Sequence, residues 1–291
     1  MFDIAAPSPM KNLSVSKIEK ILLCPKNFEL QYIHKIPEPR SWKAHAGVVV
    51  HHVIEDALRE YAKRGVYPDW KTMDDRFEPA WEKEQKEQEE KPWFVGWKEE
   101  ADDPIEELRR TYRPLIRIAR EQVLPTVRPW MIGNAPVVEQ RIDLEVRTKV
   151  GLCPIIGYVD MLDASGVLMD WKSTGKKVSN RAKSTWLQFA AYSLWAWPVV
   201  GEQELKCEKI FLVRGENNDP HVERIPFTMG QKHREYFVKV AAQVWETIHH
   251  GIYIANPSTW LCKPGWCPFY AGCMGELVKV SNDDKTAASA C

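Results

Sequence analysis

Two acids and a lysine in the middle of this chain are the residue types that metal-dependent phosphodiester hydrolysis requires. They stand in Gly157-Tyr158-Val159-Asp160 and, nine residues on, in Asp170-Trp171-Lys172. Residues i and i+2 of a strand share a face, so Asp170 and Lys172 emerge side by side. The run Gly151 to Leu162 reads as the preceding strand, with Ala164-Ser165-Gly166 as the turn. A three-residue loop with its glycine in the left-handed position closes Asp163 against Val167 and sets Asp160 opposite Asp170. Two carboxylates then converge on one divalent cation. Such a cation polarises a phosphoryl oxygen and acidifies water, while the ammonium stabilises developing negative charge. Trp171, with Val167 and Met169, takes the opposite face and belongs to the core.

Other residues bear on the same chemistry. Either His51 or His52, on a helix after Gly47, could complete the metal site, and imidazole suits Mn²⁺ better than Mg²⁺. His51 and Glu55 share a helical face; His52 lies off it. Gln188 and Tyr192, also four apart, share a face and can hydrogen-bond phosphate or base. Cys262, Cys267 and Cys273 stand as C-x4-C-x5-C, with Cys24 near the N-terminus. Four thiolates suit an iron–sulfur cluster or structural zinc, and the absence of a C-x2-C pair favours the cluster. Cys153 and Cys207 sit in apolar strand contexts and read as core thiols, and Cys291 as incidental.

The elements that position these groups follow from periodicity. A helix over 13–23 carries Ser16 and Glu19 in a capping-box pattern. A second runs from Ala44 to Arg64 on the recurrence of Val49/Val50, Val53/Ile54, Ala57/Leu58 and Tyr61. Gly65 to Pro129 reads as mostly helical, its Glu82–Lys91 run a solvated charge face and its Ile105–Ala119 stretch amphipathic. From Val138 the period becomes two, with Ile142, Leu144 and Val146 alternating with polar residues. The hairpin follows, then a helix over 182–197 stopped by Pro198, a short strand over Lys209–Arg214 and a helix over Met229–His250. The expected fold is α/β: a mixed sheet flanked by helices, with a helical N-terminal insertion at 66–130. One domain covers 1–280, a cysteine-bearing segment covers 256–275, and 281–291 is a disordered tail.

Composition sets outer limits. The 291 residues are 44% hydrophobic with 13 Trp, enough for a sizeable core, and carry a formal net charge of zero. No global basic field advertises nucleic acid, so such binding needs a local patch. No apolar run approaches ~18 residues, which excludes a membrane-spanning helix. The start lacks the order of a signal peptide, and the expected compartment is the cytosol, where thiols stay reduced.

Taken in order, Gly47-x3-His51-x3-Glu55, Gly157-Tyr158-Val159-Asp160, Asp170-Trp171-Lys172 and Gln188-x3-Tyr192 resemble the motifs of RecB-type nucleases of the PD-(D/E)XK superfamily. The cysteines, one early and three late, resemble its iron–sulfur branch. That branch includes the AddB nuclease domain, CRISPR-associated RecB-like exonucleases and phage relatives. The resemblance spans about residues 13 to 273 and implies a restriction-endonuclease-like core. It implies His51, Asp160, Asp170 and the backbone carbonyl of Trp171 as ligands of Mg²⁺ or Mn²⁺. Lys172 is then the catalytic lysine, and Gln188 and Tyr192 a DNA-facing pair. Glu139 falls where such nucleases often carry an acid on the first core strand. Cys24, Cys262, Cys267 and Cys273 are implied as holding a 4Fe-4S cluster. One departure stands out: many members space the first two C-terminal cysteines by two residues, and this chain uses four.

The expected activity is DNA phosphodiester hydrolysis, most simply exonucleolytic on single-stranded ends, with a recombination, repair or CRISPR-adaptation complex as the setting. One alternative is a non-catalytic DNA-binding or adaptation-complex subunit that keeps fold and cluster. The other is a zinc-bound structural protein whose hairpin acids lie on its surface.

Overall fold

The computed structural model describes residues 10–98, 105–175, 186–215 and 219–274. The start of the expected helix over 182–197, the expected tail and Cys291 lie outside these residues. The order of elements is α1 (Val15–Leu23), α2 (Pro25–Phe28), α3 (Trp42–Arg64), α4 (Trp70–Asp74), α5 (Phe77–Glu89), α6 (Ile105–Ile118), a small β1–β2 ribbon (Met131–Ile132, Ala135–Pro136), β3 (Val138–Thr148), β4 (Gly151–Leu162), β5 (Leu168–Thr174), α7 (Trp186–Val200), β6 (Leu205–Val213), β7 (His221–Met229) and α8 (Gln231–His249). Five strands form one mixed sheet in the order β3-β4-β5-β6-β7, flanked by helices: an α/β fold.

The chain divides into two compact units. Among the described residues, the first takes those within 1–38, 145–155 and 239–291, and the second those within 39–144 and 156–238.

In the second unit, β4 and β5 are antiparallel with Met161 opposite Met169 and Leu162 opposite Leu168. The turn between them is the expected one. Asp163 N–H donates to the Val167 carbonyl at 2.9 Å, and Gly166 takes φ +82°, where other residues are strained. Asp163 also accepts the Ser165 N–H at 2.8 Å through its own carboxylate, a side-chain turn that holds the loop in place. β5 and β6 are parallel, so the chain must cross over between them, and α7 is that crossover.

Alternation puts Met169 and Trp171 of β5 into one core with the apolar faces of α3, α5 and α6 and with Ile210 and Leu212 of β6. The helical insertion is therefore what covers one face of the sheet. α3 starts at Ser41, whose hydroxyl accepts the Ala44 N–H, and ends at Gly65 in the left-handed conformation.

Several local expectations need correction. The N-cap of α1 is Ser14, which accepts the Lys17 N–H at 3.3 Å; Ser16, two residues on, is already inside the helix. Glu84 in the charged run is buried, and accepts from Gln88 at 2.6 Å. Pro198 does not stop α7 but sits in its last turn, where it costs few hydrogen bonds, and Gly201 at φ +82° ends the helix. β6 begins at Leu205, four residues earlier than expected. β7 was not foreseen. Its Pro226 argues against a central strand, but β7 is the sheet edge, where proline is tolerated.

In the first unit, α1 is buried along Val15, Ile18 and Ile21, and Leu13 N–H donates to Pro154 O at 2.9 Å. Cys24 ends α1 and precedes Pro25, the first residue of α2. Asn256 donates to the Leu23 carbonyl at 3.0 Å, and the rings of Phe28 and Tyr253 stack at 6.3 Å. These contacts tie the C-terminal coil to the chain around Cys24.

Candidate active site

The hairpin register, continued by one residue past Met161–Met169, sets Asp160 against Asp170. Both are buried, Asp170 completely. Asp160 Oδ2 accepts the backbone N–H of Trp171 at 2.9 Å. Asp170 Oδ1 accepts from Lys172 Nζ and from Gln188 Nε2, each at 2.9 Å. Asp170 Oδ2 has no hydrogen-bond partner. A buried carboxylate oxygen left so is costly unless something cationic serves it.

His51, on α3, places Nδ1 3.9 Å from Asp160 Oδ2, and its ring also engages the backbone of Trp171. Burial, followed by the Lys172 charge, lowers its pKa to about 4, so the imidazole is neutral near pH 7 and able to donate a lone pair. Burial and the neighbouring Asp170 push the Asp160 carboxyl well above the ordinary range. Burial disfavours the charged form, and the second carboxylate adds repulsion to it. Burial pulls Lys172 down, but Asp170 and Asp160 outweigh it and the ammonium is held charged.

Glu139, at the start of β3, takes φ +48°, a left-handed conformation unusual for a residue with a side chain. Its carboxyl pairs with that of Glu55 on α3. Burial and Glu139 push Glu55 up to about 7, and burial raises Glu139 as well. Arg59 braces this pair, with NH1 3.4 Å from Glu55 and NH2 donating to the Val138 carbonyl at 3.4 Å.

The glycine of the Gly157-Tyr158-Val159-Asp160 stretch has a packing cause. A Cβ there would lie 3.2 Å from the Tyr192 ring and 3.3 Å from Ile142. Tyr192 is therefore buried against β4, and Gln188 donates to its hydroxyl at 2.9 Å. The expected DNA-facing pair is thus unequal. Gln188 keeps partial exposure beside Asp170, whereas the Tyr192 ring offers no free face for stacking.

His51, Asp160, Asp170, Lys172, Glu139, Gln188 and Tyr192 are therefore brought together, and Trp171 contributes backbone from the core side. Sequence reasoning missed Lys209. It lies directly across from Asp170 in the β5–β6 register, with Nζ 4.0 Å from Asp170 Oδ2. The available signal was a charged residue opening the apolar run Lys209-Ile210-Phe211-Leu212-Val213, but nothing in that run names its partner.

The donor set suits a divalent cation: two carboxylates, one with an unpartnered oxygen, beside a neutral imidazole. Among the described residues no three His, Cys, Asp or Glu side chains form a ready-made cage for a single ion. The reason at this site is visible, since Lys172, Gln188 and the Trp171 N–H already occupy carboxylate oxygens.

In the first unit, Cys24, Cys262, Cys267 and Cys273 all line one cavity, with Asn27, Leu30 and Phe269 among its other walls. Asn27 Nδ2 donates to Cys267 Sγ at 3.4 Å. The thiols of Cys262 and Cys273 are pushed up by burial and then by the other cysteines. Cys153 and Cys207 are buried elsewhere as core thiols.

Comparison with known proteins bears on the fold and on the family. A protein described as a "putative exonuclease" from Eubacterium rectale has a crystal structure that matches at a TM-score of 0.50 and 12% identity, covering 90% of this chain and 88% of that one. A crystal structure of SSO0001 matches at a TM-score of 0.32 and 15% identity, covering 47% of this chain and 58% of that one. No curated protein matches. The sequence profile of the PD-(D/E)XK nuclease superfamily matches residues 12–274, nearly all of the described chain, and the chain belongs to that superfamily.

Proposed function

We propose that this protein is a Mg²⁺- or Mn²⁺-dependent deoxyribonuclease that degrades DNA from single-stranded ends. The observation that carries the reading is the convergence of Asp160, Asp170, Lys172 and His51 on one hairpin and one helix face. Asp160, Asp170, His51 and the Trp171 carbonyl would hold the cation. When bound, it supplies Lewis-acid polarisation of the scissile phosphate and of the attacking water. Lys172, held charged by both aspartates, orients that water and stabilises negative charge as in-line attack expels the 3′ oxygen. Gln188 fixes the Asp170 carboxylate and stands at the partly exposed side, where a DNA phosphate would approach. Glu139, close enough to Lys172 and Asp160 to influence both, adds negative charge to the cation side.

We assign the four cysteines lining one cavity to a 4Fe-4S cluster, which supports placement in the iron–sulfur branch of RecB-type nucleases. Residues 1–280 are read as one nuclease domain, because the family match takes in both units. The exonuclease assignment leans on the description of the Eubacterium rectale neighbour and on the resemblance to RecB-type enzymes. A cytosolic recombination, repair or CRISPR-adaptation complex is the proposed setting. Among the described residues no helix is long and apolar enough to cross a membrane.

The test is digestion of 5′- and 3′-labelled single- and double-stranded DNA with Mg²⁺ or Mn²⁺, using wild type and Lys172→Ala. Stepwise shortening of single strands by wild type alone supports the reading. Cleavage that survives Lys172→Ala, or none by wild type with either metal, would sink it.

A further inference from the structure

Lys209 is a charged residue in the interior of a strand, its side chain 6% exposed. Burying an ammonium is costly unless it is paired. It faces Asp170, fully buried, at 4.0 Å. The oxygen it approaches, Oδ2, is the one that no hydrogen bond serves, since Lys172 and Gln188 both take Oδ1. The β5–β6 register fixes this approach, because Lys209 and Asp170 are direct cross-strand partners. Two ammoniums, Lys172 and Lys209, thus flank one carboxylate from its two edges.

We propose that Lys209 is the resident counter-charge of Asp170 in the metal-free protein and that it competes with the divalent cation for that carboxylate. The proposal rests on the reading of Asp170 as a cation ligand. Without metal, Lys172 and Lys209 supply the positive charge that faces the Asp170 carboxylate. A cation entering at Oδ2 must do so against the Lys209 charge. Lys209 is thereby a positioning residue: it keeps the site folded and ready while holding its affinity for metal in check.

The test replaces Lys209 by Met, which retains the length of the stem and removes the charge. Thermal unfolding is measured after EDTA treatment, and Mn²⁺ binding is measured by calorimetry without DNA. The expected result is a lower Tm without metal, with Mn²⁺ bound on the order of tenfold more tightly than by wild type. The rise in Tm on adding Mn²⁺ is then also larger than in wild type. Equal or weaker Mn²⁺ binding by Lys209→Met, or an unchanged metal-free Tm, overturns the proposal.

Should Lys209→Met fold poorly, the double variant Asp170→Asn/Lys209→Met keeps the ion pair testable. It should recover most of the Tm lost by Lys209→Met alone, and additive losses would overturn the pairing. Asp170→Asn also separates this proposal from the reading beneath it. If it binds Mn²⁺ as wild type does, Asp170 is no cation ligand and the competition falls, while the Tm cycle still decides whether Lys209 is its counter-charge.

Discussion

Asp160 and Trp171 are joined by a hydrogen bond from the backbone N–H of Trp171 to the Asp160 carboxylate at 2.9 Å. It fastens one acid of the site to the strand that bears the other, between Asp170 and Lys172. The acid is thereby held in place by backbone, while the Trp171 side chain anchors that backbone in the core.

This bond makes Asp160→Asn a clean probe, because an amide oxygen can still accept the Trp171 N–H. Cleavage should fall on the order of 100-fold or more with the loss of a charged ligand. The metal-free Tm should hold or rise, since the amide removes a charge that burial and then Asp170 disfavour. Labelled-DNA digestion and thermal unfolding in EDTA check the two halves; a wild-type cleavage rate would contradict the first.

Lys172→Met should separate chemistry from binding. Losing one positioned charge in the transition state costs on the order of 100-fold in rate, whereas one lost phosphate contact weakens binding modestly and in a salt-dependent way. Single-turnover cleavage and DNA titration at two salt concentrations give the comparison. Normal turnover with poor affinity would move Lys172 to the substrate surface.

The Glu55–Glu139 pair predicts a pH dependence of stability. Glu55 has an ordinary value of 4.5 and is raised to about 7 in the folded protein, by burial and by Glu139. Between those values the native state keeps a proton that the unfolded chain has released. Stability from this group is therefore full at low pH and lost as pH rises through about 7. Urea titrations in EDTA at pH 5 and pH 8 should show the slope, and Glu55→Gln should flatten it. An unchanged slope would show that the pair does not share a proton.

On the proposed cluster assignment, Cys24→Ala should lose iron and become sensitive to protease, although residue 24 lies far in sequence from the other three cysteines. A clip between Cys24 and Cys262 closes a loop of most of the chain and supplies bonds absent from the unfolded state. Cys267→Ala should behave alike, and Cys153→Ala, Cys207→Ala and Cys291→Ala should keep their iron. Iron and zinc per chain after anaerobic purification decide it. Full iron and wild-type resistance in Cys24→Ala would reduce that thiol to a core residue.

Much of the site was legible because its residues are bound by local periodicity. Asp170 and Lys172 share a face through the two-residue repeat of a strand, and Asp160 joins them through a turn that Asp163 and Gly166 specify. His51 and Glu55 share a face through the helical repeat, and Glu55 meets Glu139 on that face. Less legible was anything set by a choice among neighbours. The edge strand His221–Met229 was missed because proline at an edge looks, in one dimension, like proline in a loop.

By itself the sequence determined which groups carry charge or thiol, the hairpin and its turn, and the helical faces that present His51, Gln188 and Tyr192. Tertiary structure alone decided what those groups meet. The parallel pairing of β5 with β6 depends on the path of α7 across the sheet, and only that path sets Lys209 against Asp170. The close approach of the Tyr192 ring to Gly157 is likewise a packing contact between α7 and β4 that spacing does not show. The four cysteines reach one cavity because the C-terminal coil is tied back to Leu23 and Phe28. Sequence spacing encodes contacts within one turn or one hairpin; contacts across elements follow from the packing free energy of the whole chain, which no local pattern records.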